Sequence, residues 1–218
     1  DNALDSSTMP HLLIRTADGN FRFTPANGTS YTISGTSYDV QEWGERVAGD
    51  EDTATDPSFV GKKINDILFF RNRLGFISNE EINLSRSAEF FKFYPETVTT
   101  ILDTDPIDLS VSHTKVSILR HAIPFNEELL MFSDQSQFIL KGANTLTPEN
   151  VNVNVTTEYE ASLTTKPVGS GRSVYFTFKK GDYTGVREFF TNIDGEVNEA
   201  TDVTGAVPKY IPKNVFKM

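Results

Sequence analysis

The chain has 218 residues, 38% of them hydrophobic, with 30 acidic and 20 basic side chains and a formal net charge of -10. It contains no cysteine, which excludes disulfides and thiolate metal sites. No apolar run approaches the roughly 20 residues of a membrane-spanning helix, and an acidic surface repels nucleic-acid phosphates rather than seeking them.

Short apolar strands alternate with polar turns, and Val, Ile, Thr, Phe and Tyr set a high strand propensity. The first residues, DNALDSSTMPH, have neither the basic nor the apolar region of a signal peptide and lack an initiator Met. The expectation is an internal piece of a longer protein. Residues 1–48 read as an N-terminal β segment. Within it, HLLIRT and FRFTPA flank ADGN, and Asp18-Gly19 is a turn signal that predicts a hairpin. DVQEWGERVAG, closed by Gly49, predicts a short helix. Residues 49–56 (GDEDTATD) are acidic and contain no aliphatic residue larger than Ala, so they predict a loop or hinge ahead of Pro57. Residues 57–218 form the main β body.

In that body, RLGFIS and INLSRS predict a second hairpin around Asn79. SRSAEFFKF, with Ser87 as its cap, predicts a helical turn. TDPIDLSVS predicts one or two more: Asp105 can cap, Pro106 suits the first helical position and Asp108 falls in the first turn. The apolar run from Val116 ends at Pro124, which cannot donate to a central ladder. ELLMFS and QFILKG predict a third hairpin, VNVNVTTEYE a strand with one buried face, and SVYFTF with GVREFF a fourth hairpin around KKGDYT. One hairpin cannot bury its apolar face alone, and the spacing is too irregular for a strict repeat. The fold class is therefore all-β, with antiparallel hairpins in a β-propeller-like or sandwich-like arrangement and a few short helices.

Signals for chemistry are weak. Asp103, Asp105 and Asp108 are spaced like calcium ligands, but the sixth and twelfth positions of such a loop call for Gly and Glu. Here they are Asp108 and Thr114, so capping is the better reading. His11, His113 and His121 form no zinc pattern, and Ser112-His113 has no nucleophile elbow. Gly169, Gly171 and Arg172 look loosely like a phosphate cradle but lack the rest of a P-loop, which leaves a tight turn before SVYFTF. Arg71 and Arg73 lie beside aromatics as in single-strand stacking sites. Strand alternation puts Phe70, Asn72, Leu74 and Phe76 on one face and Arg71, Arg73 and Gly75 on the other, leaving the arginines to pair with carboxylates. Carboxylates are plentiful, yet none stands in a recognisable glycosidase frame, and the one tryptophan, Trp43, lies outside the main body. No catalytic, cofactor-binding or metal-ligating residue is assigned.

The strings PSFVG (Pro57 to Gly61), NRLGFIS (Asn72 to Ser78), LSRSAEFFKF (Leu84 to Phe93) and TDPIDLSVSH (Thr104 to His113) occur in order. ILRHAIPFNEELLMFSDQSQFIL (Ile118 to Leu140), KPVGSGRSVYF (Lys166 to Phe176) and VPKYIP (Val207 to Pro212) come after them. Together they resemble the tail tubular protein B, or nozzle protein, family of short-tailed bacteriophages. One departure is Gly205-Ala206, where relatives often carry Ala-His. The resemblance implies a non-enzymatic virion protein, made in the bacterial host cytoplasm, with a β-propeller-like body. It also implies a ring of six at the distal end of the tail, around the DNA exit channel, acting in genome retention and ejection. Implied partners are the tail adaptor (gatekeeper) protein, tail fibres and passing genomic DNA, bound without sequence specificity. No cofactor is implied. The alternative is a phage domain that binds or hydrolyses glycans.

Overall fold

In the computed structural model, which describes residues 3–114, 116–192, 195 and 197–218, every regular element is a β-strand. Two small hairpins come first: β1 (Leu12–Arg15) with β2 (Phe21–Thr24), then β3 (Tyr31–Ile33) with β4 (Thr36–Tyr38). Three antiparallel meanders make up the rest. The first contains β5 (Ile64–Phe70), β6 (Arg73–Ser78), β7 (Glu81–Leu84) and β8 (Ile107–Ser110) in that order. The second contains β9 (His121–Phe125), β10 (Glu128–Phe132), β11 (Gln137–Lys141) and β12 (Asn152–Thr157). The third contains β13 (Val168–Ser170), β14 (Ser173–Lys180), β15 (Tyr183–Asn192) and β16 (Val197–Asp202), and β17 (Ile211–Pro212) pairs with the start of β15.

The sheets stack face to face in the same orientation. First strands adjoin (β5 by β9, β9 by β13), and last strands adjoin (β8 by β12, β12 by β16). Alternation along each strand supplies a layer of apolar side chains for each junction. Leu68, Ile77, Leu84, Leu129, Met131 and Phe138 fill the space between sheets one and two. Leu130, Phe132, Ile139, Val174, Phe176 and Phe189 fill the next. Each fully buried side chain of this kind contributes about 1.5–3 kcal/mol. The outer face of sheet one carries Leu74 and Phe76, which pack with Leu4, Met9, Ala26, Trp43, Phe59 and Phe93. Residues on both sides of the 49–56 loop thus share one apolar cluster.

All four predicted hairpins form, as β1–β2, β6–β7, β10–β11 and β14–β15. Pro124 falls in β9, the edge strand of its sheet, where a missing N–H breaks no central ladder.

The three short helices do not form. In 39–49 the backbone is claimed by other segments: Trp43 N donates to Ala26 O and Gly44 N to Phe91 O. In SRSAEFFKF, Ala88 takes a left-handed φ of 63°, its N–H donates to Asn72 O, and Arg86 bridges to Glu89. Asp105 caps no helix: its carboxylate accepts from Leu102 N at 2.8 Å and so closes the turn before it. The next element is a strand, β8, because Ile107 and Leu109 find partners on β7. Tertiary pairing outweighs a weak local helix preference here.

The facial assignment of Arg71 to Phe76 is also corrected. Arg71 and Asn72 are a two-residue turn, both with positive φ (45° and 61°), a geometry that matches the twist of the flanking strands. Phe70 therefore pairs with Arg73 and shares its face, opposite Leu74 and Phe76.

Candidate functional site

Arg73 is the most deeply buried charge among the described residues, at 1% exposure. Its guanidinium is held by backbone carbonyls. Nη1 donates to those of Ser85 (2.7 Å) and Asp105 (2.6 Å), and Nη2 to those of Asp103 (2.9 Å) and Leu146 (3.1 Å). Burial lowers its pKa from the ordinary value, and the nearby charge of Asp105 opposes that shift. Arg71 behaves likewise at the surface, donating to Ala143 O (2.5 Å) and Glu127 O (2.8 Å). The expected arginine–carboxylate pairs are replaced by arginine–carbonyl contacts, because the two side chains project at the ends of strands where loops present unpaired C=O groups.

A cleft of about 1150 Å³ opens between the N-terminal segment and β5, with Leu4, Met9, Ile64 and Ile67 among its walls. Of its four carboxylates, Asp5, Glu51, Asp56 and Asp66, the last two are held by other groups. Asp56 Oδ1 accepts from Arg46 Nη2 and from the Tyr94 hydroxyl, both at 2.7 Å. Burial, followed by the bond to Asp56, raises the Tyr94 pKa above its usual 10.0. Asp66 accepts from Ala122 N at 3.1 Å and pairs with Lys166 at 2.7 Å.

The residues weighed in the sequence fall in separate places. Asp105 accepts from Leu102 N at the close of the preceding turn, and Asp108 accepts from Ser58 N (2.7 Å) and Ser58 Oγ (2.6 Å). Among the described residues no cluster of His, Asp and Glu could hold a metal ion. His11 stacks on Phe23 at 5.0 Å, His113 meets Glu158 at 2.8 Å, and His121 donates to Leu163 O at 3.0 Å. Gly171 and Arg172 form the tight turn between β13 and β14. Trp43 is 4% exposed and ringed by Phe76, Phe91 and Phe93, so it presents no platform for a sugar.

The bacteriophage nozzle protein family matches residues 1–218, the whole chain. The chain belongs to that family. The tail tubular protein gp12 of Escherichia phage T7 is 44% identical to it over 212 residues, which cover 97% of this chain and 25% of that protein. The chain therefore spans about a quarter of the length of this relative. As a nozzle-family member it is a virion tail protein.

Sequence reasoning missed two features of this nozzle-family chain. One is the Arg73 centre, whose signal is faint: Arg71-Asn72-Arg73 separates the apolar runs ILFF and LGFI, yet Arg71-Asn72 is not a common turn pair. The other is the closure of the N-terminal segment over sheet one through Trp43. Its only trace is the concentration of aromatics in 59–94.

Proposed function

We propose that this chain is a section of the distal nozzle ring of a short phage tail, lining the DNA exit channel and acting in genome retention and ejection. The observation that carries the reading is the family match over residues 1–218, supported by 44% identity to a tail tubular protein. Three stacked sheets with a close-packed core make a stiff wall. Residues 1–48, the 49–56 loop and the body 57–218 act as one block of that wall, supported by the shared cluster around Trp43. The role is structural and not enzymatic. The full-length protein assembles as a ring of six, below the tail adaptor and in contact with tail fibres. With a net charge of -10, the wall offers phosphates few counter-charges, so DNA slides without sequence-specific binding.

Immunogold electron microscopy of phage particles, with antibody raised against these 218 residues, tests the reading. Gold at the tail tip is expected. Gold elsewhere, on particles whose tips are accessible, would overturn it.

A further inference from the structure

Two exposed surfaces of the chain each set apolar side chains beside a charge, and the charges are opposite. The first is one face of the β1–β2 hairpin. Cross-strand pairing of Leu13 with Phe23 and of Arg15 with Phe21 puts these four side chains on one side. Leu13, Phe21 and Phe23 are 66%, 64% and 71% exposed. The opposite side turns inward: Leu12 packs against the aromatic cluster and Thr24 is buried. A two-stranded hairpin with a large bare apolar face is marginal by itself, and adjacent exposed apolar residues mark contact sites. Arg15 gives this face a positive charge on an otherwise acidic chain.

The second surface is a shallow depression of about 280 Å³ in which Pro95, Val98 and Ile101 stand among four threonines and the buried Asp105. Ile101 is 65% exposed and Val98 44%. The acidic loop packs directly against it: a Cβ on Gly49 would lie 2.7 Å from Val98 Cγ1 and 2.5 Å from Thr53 Oγ1. Its rim therefore carries the exposed Asp50, with the exposed Asp52 and Asp103 next to the lining residues Thr53 and Ile101 in sequence. Thr53 donates to Asp50 Oδ1 through its N (3.0 Å) and its Oγ1 (2.8 Å), which fixes the shape of the rim.

We infer that the hairpin face of one copy seats in the Val98–Ile101 depression of the next, with Phe23 in the hollow and Arg15 against the acidic rim. The occupant is a second copy of this chain because each surface supplies what the other lacks. The hairpin offers aromatic bulk and a cation; the depression offers exposed Val98 and Ile101 among threonines, with the carboxylate of Asp50 beside Thr53. High exposure of both shows that neither covers the other within these 218 residues. Two different patches meeting in this way make a heterologous contact, the kind that generates a closed ring when the rotation closes. The apolar residues anchor the contact, and the charges set its register. This inference rests on the ring assembly proposed above.

The test uses the full-length protein carrying Phe23→Cys together with Ile101→Cys, mildly oxidised and run on a denaturing gel without reductant. The inference expects a ladder of covalent multimers from the double variant and none from either single variant. If the wild type forms rings but the double variant gives no ladder, the contact lies elsewhere and the ring reading stands. If a fast-migrating monomer forms in place of a ladder, the two faces meet within one chain and the inference fails. If the full-length protein forms no ring, the assembly reading and this inference fall together. As an independent check, Phe21→Asp with Phe23→Asp should leave the far-ultraviolet signal of the sheets unchanged while shifting rings to monomers; unchanged assembly would overturn the contact. Arg15→Glu should weaken association about fivefold, and added Asp52→Arg should restore it.

Discussion

The guanidinium of Arg73 donates to the carbonyl oxygen of Asp105 at 2.6 Å, across 32 positions of the chain. Further bonds from the same group reach Ser85, Asp103 and Leu146. One side chain thus ties together three loops that have no ladder of their own. Arg73→Met would strand those carbonyls in a dry site, at about 1–3 kcal/mol for each group left unpaired. We expect a total loss of about 3–5 kcal/mol, and at this chain length roughly 2–4 °C of melting temperature per kcal/mol. Arg73→Lys should recover only part of it, since an ammonium lacks the planar fork. Denaturant midpoints of the three proteins decide the matter, and a Lys variant as stable as wild type would contradict the fork geometry.

Trp43 bridges the N-terminal segment to the body. Its ring lies 4.8 Å from Phe91 and 6.0 Å from Phe76, centroid to centroid. Trp43→Ala should cost about 3–5 kcal/mol. Tryptophan fluorescence of the unmutated chain should be blue-shifted and change in the same transition as the far-ultraviolet signal of the sheets. A Trp43 transition well below that of the sheets would show that the N-terminal segment folds separately.

The hairpins were legible because each combined alternating apolar residues with a turn signal: Asp18-Gly19 at β1–β2 and Gly181-Asp182 at β14–β15 lie at the turns themselves. The β5–β6 turn was hidden because Arg71 and Asn72 reach positive φ without glycine, and their cost is offset by carbonyl contacts made far away in sequence. The false helices share one cause. Asp105 looked like a cap for the residues after it, but it closes the turn from Leu102 before it, and Ile107 became strand because β7 was in reach. The complementary faces of the hairpin and the Val98–Ile101 depression were invisible for a similar reason. Exposure of an apolar residue depends on which segments fold over it, and that is a property of the whole chain.

The β1–β2 turn should be acid-sensitive. Bonds from the Thr16 hydroxyl, then the Asn20 side chain and backbone, hold Asp18 below its ordinary 3.8. A depressed carboxylate contributes stability that is complete above the unfolded value and is lost as pH falls through the lower folded value. Loosening of the hairpin is therefore expected below about pH 4 and not between pH 5 and 8. Asp18→Ala should show the acid form's hairpin dynamics at neutral pH. Amide exchange in residues 12–24 measures both, and acid-insensitive exchange would contradict the assignment.

The 49–56 loop is anchored at one end by Asp56, whose carboxylate joins Arg46 and Tyr94. Arg46 is buried and also donates from Nε to Ala54 O at 2.8 Å. Asp56→Asn takes the carboxylate charge away from that guanidinium, whereas Tyr94→Phe removes only a neutral donor. Asp56 is half exposed, so screening trims the charge effect. We expect losses of about 1–2 kcal/mol for Asp56→Asn and about 1 kcal/mol or less for Tyr94→Phe. Hydrogen exchange in the loop should accelerate more in the first variant. The two also separate at high pH. Because the folded protein raises the Tyr94 pKa, the neutral hydroxyl stabilises the fold fully below the unfolded value near 10, and that contribution is lost as pH rises beyond it. Tyr94→Phe should remove this alkaline loss, and Asp56→Asn should weaken it. Stability measured from pH 8 to 11 reports the difference, and identical alkaline limbs in wild type and Tyr94→Phe would show that Tyr94 ionises elsewhere than its contacts require.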